Sequence, residues 1–254
     1  MNNSEIIFLY DAKMTNPNGD PDEENRPRMD YEQERNIVTD LRLKRYIRDY
    51  IRDYLKKEIF VDKKDGNPVL PEDRVTQGKK LMSENDILEK YIDIRYFGAT
   101  ISIQDKDLKK DRSSITFIGP IQFNWGYSLN KITTDDIIEA TITSHFIGAP
   151  KKPQQDKKSQ QDQKPQQGTM GKDYRIKYSF IAFSGILSGK RAEHTKLTEE
   201  DIQIFDNAMK LAIPRLATRS KINQYPRLYF RIEYIDDQTV LGDLRNYIKL
   251  TKSE

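Results

Sequence analysis

The chain contains no cysteine, and that one absence removes disulfides, thiolate metal ligands and thiol nucleophiles together. It also fits a reducing compartment. No apolar run approaches the roughly 18 residues of a membrane span. The opening stretch MNNSEIIFLYDAK has a short apolar segment without a basic flank and reads as a first strand, not a signal peptide. A cytoplasmic protein without a membrane partner is the expectation. Histidine is nearly missing as well: His145 and His194 are the only two, and they are the side chains whose ordinary pKa lies near neutrality. They stand far apart without a supporting motif. A metal-independent endoribonuclease using one of them is therefore the alternative reading, not the leading one.

Other absences narrow the field further. No G-x-x-x-x-G-K-[ST], G-x-S-x-G or H-E-x-x-H occurs, which leaves phosphate-loop, hydrolase-elbow and zincin chemistry without support. The acidic run Asp20, Asp22, Glu23, Glu24 fails the calcium-loop template, because Pro21 stands where glycine is needed, and reads as solvated loop. No cofactor, metal or catalytic residue is assigned. Net charge is nearly absent too. The 43 basic and 40 acidic side chains leave +3, so any case for a polyanion partner must rest on how the cations are arranged.

What is present is a sequence of short apolar runs separated by polar segments. Ser4 to Ala12 reads as a buried strand. Asn16 to Arg28 carries three prolines, a glycine and several acids, and reads as turns and loops. The strongest helix follows, with Thr39 as N-cap and Asp40 in the first turn. Leu43, Ile47, Tyr50 and Tyr54 share a narrow arc, while Lys44, Arg45, Arg48, Arg52 and Lys56 occupy the broad opposite side. One face is expected to pack on a sheet and the other to offer an outward row of cations. Such a row is usually just solvated. Behind a loop carrying Arg26 and Arg28 it also suits a sugar–phosphate backbone, which positions without reading sequence.

From Phe60 to Asn85 the pattern weakens into charged loop. Tyr91 to Ile103 and Ser113 to Leu129 read as strands broken at glycines, and Thr134 to Ile147 is open between helix and strand. Pro150 to Gly168 is low-complexity Gln/Lys/Pro sequence, expected to be an exposed loop. Asp173 to Leu187 reads as a long strand, and Thr198 to Asp201 opens a helix with a capping-box pattern that runs to Pro214. Arg227 to Ile235 alternates as a last strand. The order suggests an α+β, ferredoxin-like (RRM-like) core with insertions. Arg95-Tyr96-Phe97-Gly98 approaches the aromatic RRM signature in composition but not in order, so base stacking on the sheet is not expected.

The run FLYDAKMTNPNGDPDEENRPRMD followed by NIVTDLRLKRYIRDYI resembles the Cascade backbone subunit of CRISPR systems, the seventh Cas family within the RAMP superfamily, in its type I-B, Csh-like form. DIRYFGA, GPIQFNWGYSLN and TMGKDYRIKYSFIAFSG resemble further blocks of that family, in the same order. The resemblance implies a single RRM-like palm spanning 1–254, a fingers insertion near 60–112, and a thumb near 145–173 with a flexible tip at 150–168. It implies a structural subunit that stacks head to tail on guide RNA, each thumb displacing a base, and presents the remaining bases to a target DNA strand. Implied partners are the guide RNA, the target strand, further copies of the chain, a large subunit, a guide 5′-end-binding subunit and a guide-processing endonuclease. Carried onto this sequence, the RNA grip falls on Thr39, Lys44 and Arg48, with Arg45 and Arg52 beside them and Arg26 and Arg28 in the preceding loop. Gln122, Tyr127 and Ser128 fall near a filament contact. Thr169, Met170 and Lys172 fall where the thumb rejoins the palm, with Met170 as a wedge. Asp156 or Asp162 would stand in for the thumb aspartate with which type III relatives cut RNA, but the blocks are of type I character and no nuclease activity is assigned.

Overall fold

The computed structural model describes residues 1–63, 66–78, 80–103, 114–143, 170–236 and 238–251. Strand β1 (Ser4–Thr15) is an inner strand of the main sheet, next to one of its edges. Its alternate residues Ile6, Phe8, Tyr10 and Ala12 enter one core while Ile7 and Leu9 enter another on the opposite face. A strand buried on both sides needs a continuous apolar run, which is what makes it legible.

Strand β2 (Arg35–Val38) leads into α1 (Asp40–Leu55). A second module then forms from α2 (Glu84–Lys90), α3 (Ile92–Phe97), β3 (Gly98–Ser102) and β4 (Ser114–Ile118). The chain returns to the main sheet through β5 (Ile121–Phe123), β6 (Gly126–Ser128), β7 (Ile137–Thr143) and β8 (Met170–Leu187). It closes with α4 (Gly189–His194), α5 (Glu199–Arg215) and β9 (Gln224–Glu233).

The sheet runs β9-β1-β8-β6-β2, all antiparallel, with β5 and β7 also paired to β8. Taking β1, α1, β6, β8, α5 and β9 in turn gives the fourth-first-third-second strand order of a ferredoxin-like βαββαβ unit. The α1 side chains Leu43, Tyr46, Ile47 and Ile51 and the α5 side chains Ile202, Phe205, Met209 and Ile213 cover the Ile6–Phe8–Tyr10 face. The opposite face is covered at one end by the C-terminal turn Leu244–Tyr247, whose Leu244 packs with Ile7, Leu9 and Ala182. Arg245 fastens that turn: it donates to the Trp125 carbonyl at 2.8 Å and lies 4.3 Å over the Tyr127 ring.

The second module has its own core of Phe60, Val75, Met82, Ile87, Leu88, Tyr91, Ile94, Ile101 and Ile115. Here two expectations are corrected. Ser83 caps α2 with a reciprocal box through Asp86, inside a region expected to be loop up to Asn85. Ile92–Phe97 is helix, not strand. A short apolar run buried all round has no period to separate the two states. Gly98 ends that helix at φ 74°, and an added Cβ would stand 2.2 Å from the Phe117 carbonyl oxygen. The capping box at Thr198–Asp201 forms as expected, and Pro214 lies within the last turn of α5. Of the open stretch Thr134 to Ile147, a 3-10 turn at Thr134–Asp136 is followed by strand β7.

Candidate nucleic-acid interface

The loop after β1 is fastened to the start of α1. Thr39 caps the helix, accepting from the Arg42 amide at 3.4 Å, and its own amide and hydroxyl both donate to Asn18 Oδ1 at 3.1 and 2.9 Å. The Asn-Pro-Asn-Gly sequence thereby sets where the loop leaves the helix. Arg28 pairs with Asp20 at 2.7 Å across the loop.

The cations of α1 do not form the expected open row. Lys44 is 7% exposed and Arg48 8% exposed. Lys44 donates to Gln122 Oε1 at 3.0 Å and pairs with Asp40 at 3.0 Å. Arg48 donates to Asp93 at 2.8 Å, and both it and Lys44 lie over the Phe97 ring. Asp93, buried in α3, also accepts from the amides of Phe60 and Val61 at 2.6 and 3.2 Å. Arg45 pairs with Asp49 and donates to the Val61 carbonyl at 2.9 Å. Arg52 binds Asp49, Asp53 and Asp62 at 2.7 to 3.0 Å. Two causes explain the correction. Tyr46 and Ile51 widen the buried face, so Lys44 and Arg48 fall on its border under the second module. Asp49 and Asp53 stand among the cations at helical spacings, and Asp62 and Asp93 arrive from later in the chain.

The other expected residues separate by environment. Gln122 donates to the Gly119 and Phe97 carbonyls at 3.1 and 3.3 Å, which makes it a strut between β5 and α3. Tyr127 is held between the guanidiniums of Arg35 and Arg245 at 4.6 and 4.3 Å. Ser128 is fully buried and accepts from the Asn36 amide at 3.1 Å. Arg26 and Lys172 meet at the root of the β7–β8 hairpin. Arg26 lies 4.7 Å over the Tyr174 ring and 3.6 Å from Glu139. Lys172 pairs with Glu139 at 3.1 Å and with Glu24 at 3.4 Å, so its pKa is raised, chiefly by Glu139. The Tyr174 hydroxyl, then Lys172, hold the Glu24 carboxyl below its ordinary range.

Thr169, His145, Asp156, Asp162 and the 150–168 stretch lie outside the described residues, and of Met170 only the backbone pairing with Thr143 is described. His194 ends α4, exposed, beside an open cleft of about 790 Å³ that Lys190 and Arg191 also line. Among the described residues no three His, Asp or Glu side chains gather to hold a metal ion, and no helix is long and apolar enough to cross a membrane.

Sequence reading missed the acids that organise this surface. Asp93 neutralises Arg48, and Asp201 takes a two-pronged grip from Arg95 at 2.8 and 2.9 Å, joining the second module to α5. A signal existed for the first: an aspartate inside YIDIRYF is a charge in an apolar run, and such charges are paired when buried.

The model of the family "CRISPR-associated protein Cas7" matches residues 2–254. The CRISPR-associated protein Cas7 of Haloferax volcanii is 33% identical over 272 residues, covering 98% of this chain and 76% of that protein. Among solved structures, a chain of "CRISPR RNA-guided surveillance complex, pre-nicking" superposes with a TM-score of 0.51 at 13% identity, covering 89% of this chain and 77% of that one. A chain of "CRISPR RNA-guided surveillance complex" gives 0.47 at 13% identity, with 89% and 67% covered. The match over nearly every residue, on a ferredoxin-like sheet, places this chain in the Cas7 family of CRISPR-associated proteins.

Proposed function

We propose that the chain is the structural, RNA-binding backbone subunit of a Cascade-type CRISPR surveillance complex. The observation that carries this is the family match across residues 2–254. In this reading copies stack head to tail on one guide RNA in the cytoplasm and leave its bases free to pair with a target DNA strand. The complex is of type I-B, and its other members are a large subunit, a guide 5′-end-binding subunit and a guide-processing endonuclease. The ferredoxin-like unit is the palm. The second module, with its separate core, serves as fingers within residues 60–112. The β7–β8 hairpin roots a thumb over residues 145–173.

In this reading the grip has two kinds of residue. Arg45, Arg52, Arg26, Arg28 and Lys172 are partly exposed and paired with acids. They meet phosphates by exchanging a carboxylate for a phosphate oxygen. Lys44, Arg48 and Ser128 are buried and Gln122 is half-buried, and they shape the surface that the strand follows. Thr39 sets the helix start that the strand passes.

The test is length-dependent binding. The purified chain is titrated with single-stranded RNAs of increasing length and followed by sedimentation. Additional copies are expected on longer strands, with affinity per copy rising and falling steeply with salt. A chain that sediments as a free monomer with every length of RNA at low salt overturns the reading.

A further inference from the structure

Where α1 meets the start of β9, two cations lie without a counter-ion among the described residues. Arg42 lies in the first turn of α1 with its guanidinium 4.2 Å over the Tyr46 ring. Lys221 lies just before β9 and donates to the Asn16 carbonyl at 2.5 Å. Gln224 connects them: the Tyr46 hydroxyl donates to its Oε1 at 3.3 Å, and its Nε2 donates to the Lys221 carbonyl at 2.9 Å. The other three arginines of α1 all pair with aspartates. Among the described residues Arg42 and Lys221 pair with none.

Buried polar atoms around them lack partners, among them one acceptor, Oδ1 of the same Asn16. Arg42 Nε is buried without a hydrogen-bond partner, and so is the hydroxyl of Tyr10, a residue with no exposed surface. Burial pushes the Lys221 ammonium down to about 7, and the Arg42 charge adds to that. Burial raises the Tyr10 hydroxyl, Tyr46 adds to it, and Arg42 opposes it. Neighbouring like charges in a half-buried setting are unfavourable, and an anion between them reverses the sign. Arg42 and Lys221 both remain partly open to solvent, so an anion can reach them.

We infer that Arg42 and Lys221 together hold one phosphodiester of a single RNA strand. A planar guanidinium offers a fork to two non-bridging oxygens, and a lysine ammonium supplies a second, adjustable donor. The inference rests on the RNA-binding reading and adds a contact outside the residues named there.

Fluorescence anisotropy with a labelled single-stranded RNA, over a range of salt, tests it on the whole chain. Lys221→Met is expected to weaken binding about tenfold, the effect of about 1.4 kcal/mol, while melting no earlier than the parent. The double variant Arg42→Gln/Lys221→Met is expected to flatten the slope of log affinity against log salt by about 0.7, the share of one phosphate on a single strand. Arg42→Lys, which keeps the charge, should retain the parental slope even if loss of stacking on Tyr46 lowers its melting temperature. A double variant with parental affinity and slope, on a parent that binds RNA, overturns the inference and leaves the function standing. Affinity lost with an unchanged slope overturns it too, as does a variant that loses only self-association, since the anion is then an acidic neighbour. A parent that ignores RNA at low salt defeats both readings.

Discussion

Asp93 shows how much of this protein's architecture hangs on single carboxylates. It is 1% exposed and accepts from Arg48 and from two backbone amides. Removing it orphans three donors at once, whereas removing Arg48 leaves the carboxylate two of its partners. Breaking a buried pair from one side costs about 3–5 kcal/mol. Asp93→Ala is therefore expected at the upper end of that range and Arg48→Met below it, as read from urea unfolding of each variant. Equal losses would mean that the amide contacts to Phe60 and Val61 contribute nothing. The pair also explains why charge reversal at Arg48 is a poor probe of RNA binding: the variant buries two facing acids and loses the fold first.

The residue scale is also where sequence reading reached its limit. Thr39 as N-cap was legible because a hydroxyl before an acidic first turn has one local meaning. The exposure of Lys44 and Arg48 was not, since the groups that cover them, Asp93, Gln122 and Phe97, lie far along the chain. Arg42 escaped notice for the opposite reason: its distinction is the lack of a partner, and only a three-dimensional neighbourhood can show that.

Among the elements, β8 is the common member of the fold. Its 18 residues pair with β1 along one edge and with β5, β6 and β7 along the other. The long strand was readable from Asp173 onward by its apolar content, and β1 and β9 likewise. The elements misread were the short ones of the second module, α2 and α3, where six or seven residues give periodicity too little length to decide. At the far end of β8, Met170 stands opposite Thr143 in register. Two residues so placed can be joined by a two-residue turn. Replacing residues 144–169 with Asn-Gly is expected to leave the melting temperature of the chain unchanged. A fall of more than about 4 °C, the effect of roughly 1–2 kcal/mol in a protein of this size, would show that the replaced segment supports the palm.

At the scale of the whole molecule, stability should carry a pH signature of Lys221. Its ammonium titrates at about 7 in the folded protein against 10.5 ordinarily. Between those values the unfolded chain binds a proton that the folded chain lacks, so stability rises with pH across that window. Below about pH 7 both states are protonated and the penalty of the buried charge is constant. Urea midpoints are expected to climb from about pH 7 to about pH 9 in the parent and to climb less in Lys221→Met. Identical pH slopes in the two proteins would place Lys221 in ordinary solvent.

The C-terminal turn held by Arg245 has a last consequence. Leu244 and Ile248 lie on the open side of the sheet, beside Ile7, Leu9 and Phe180, the side on which an RRM spreads its bases. Here the protein's own tail already occupies part of that platform, like a hand resting on its own desk. If the proposed function holds, a strand of nucleic acid follows the rim of the molecule, gripped by its sugars and phosphates, with its lettering turned outward for another strand to read.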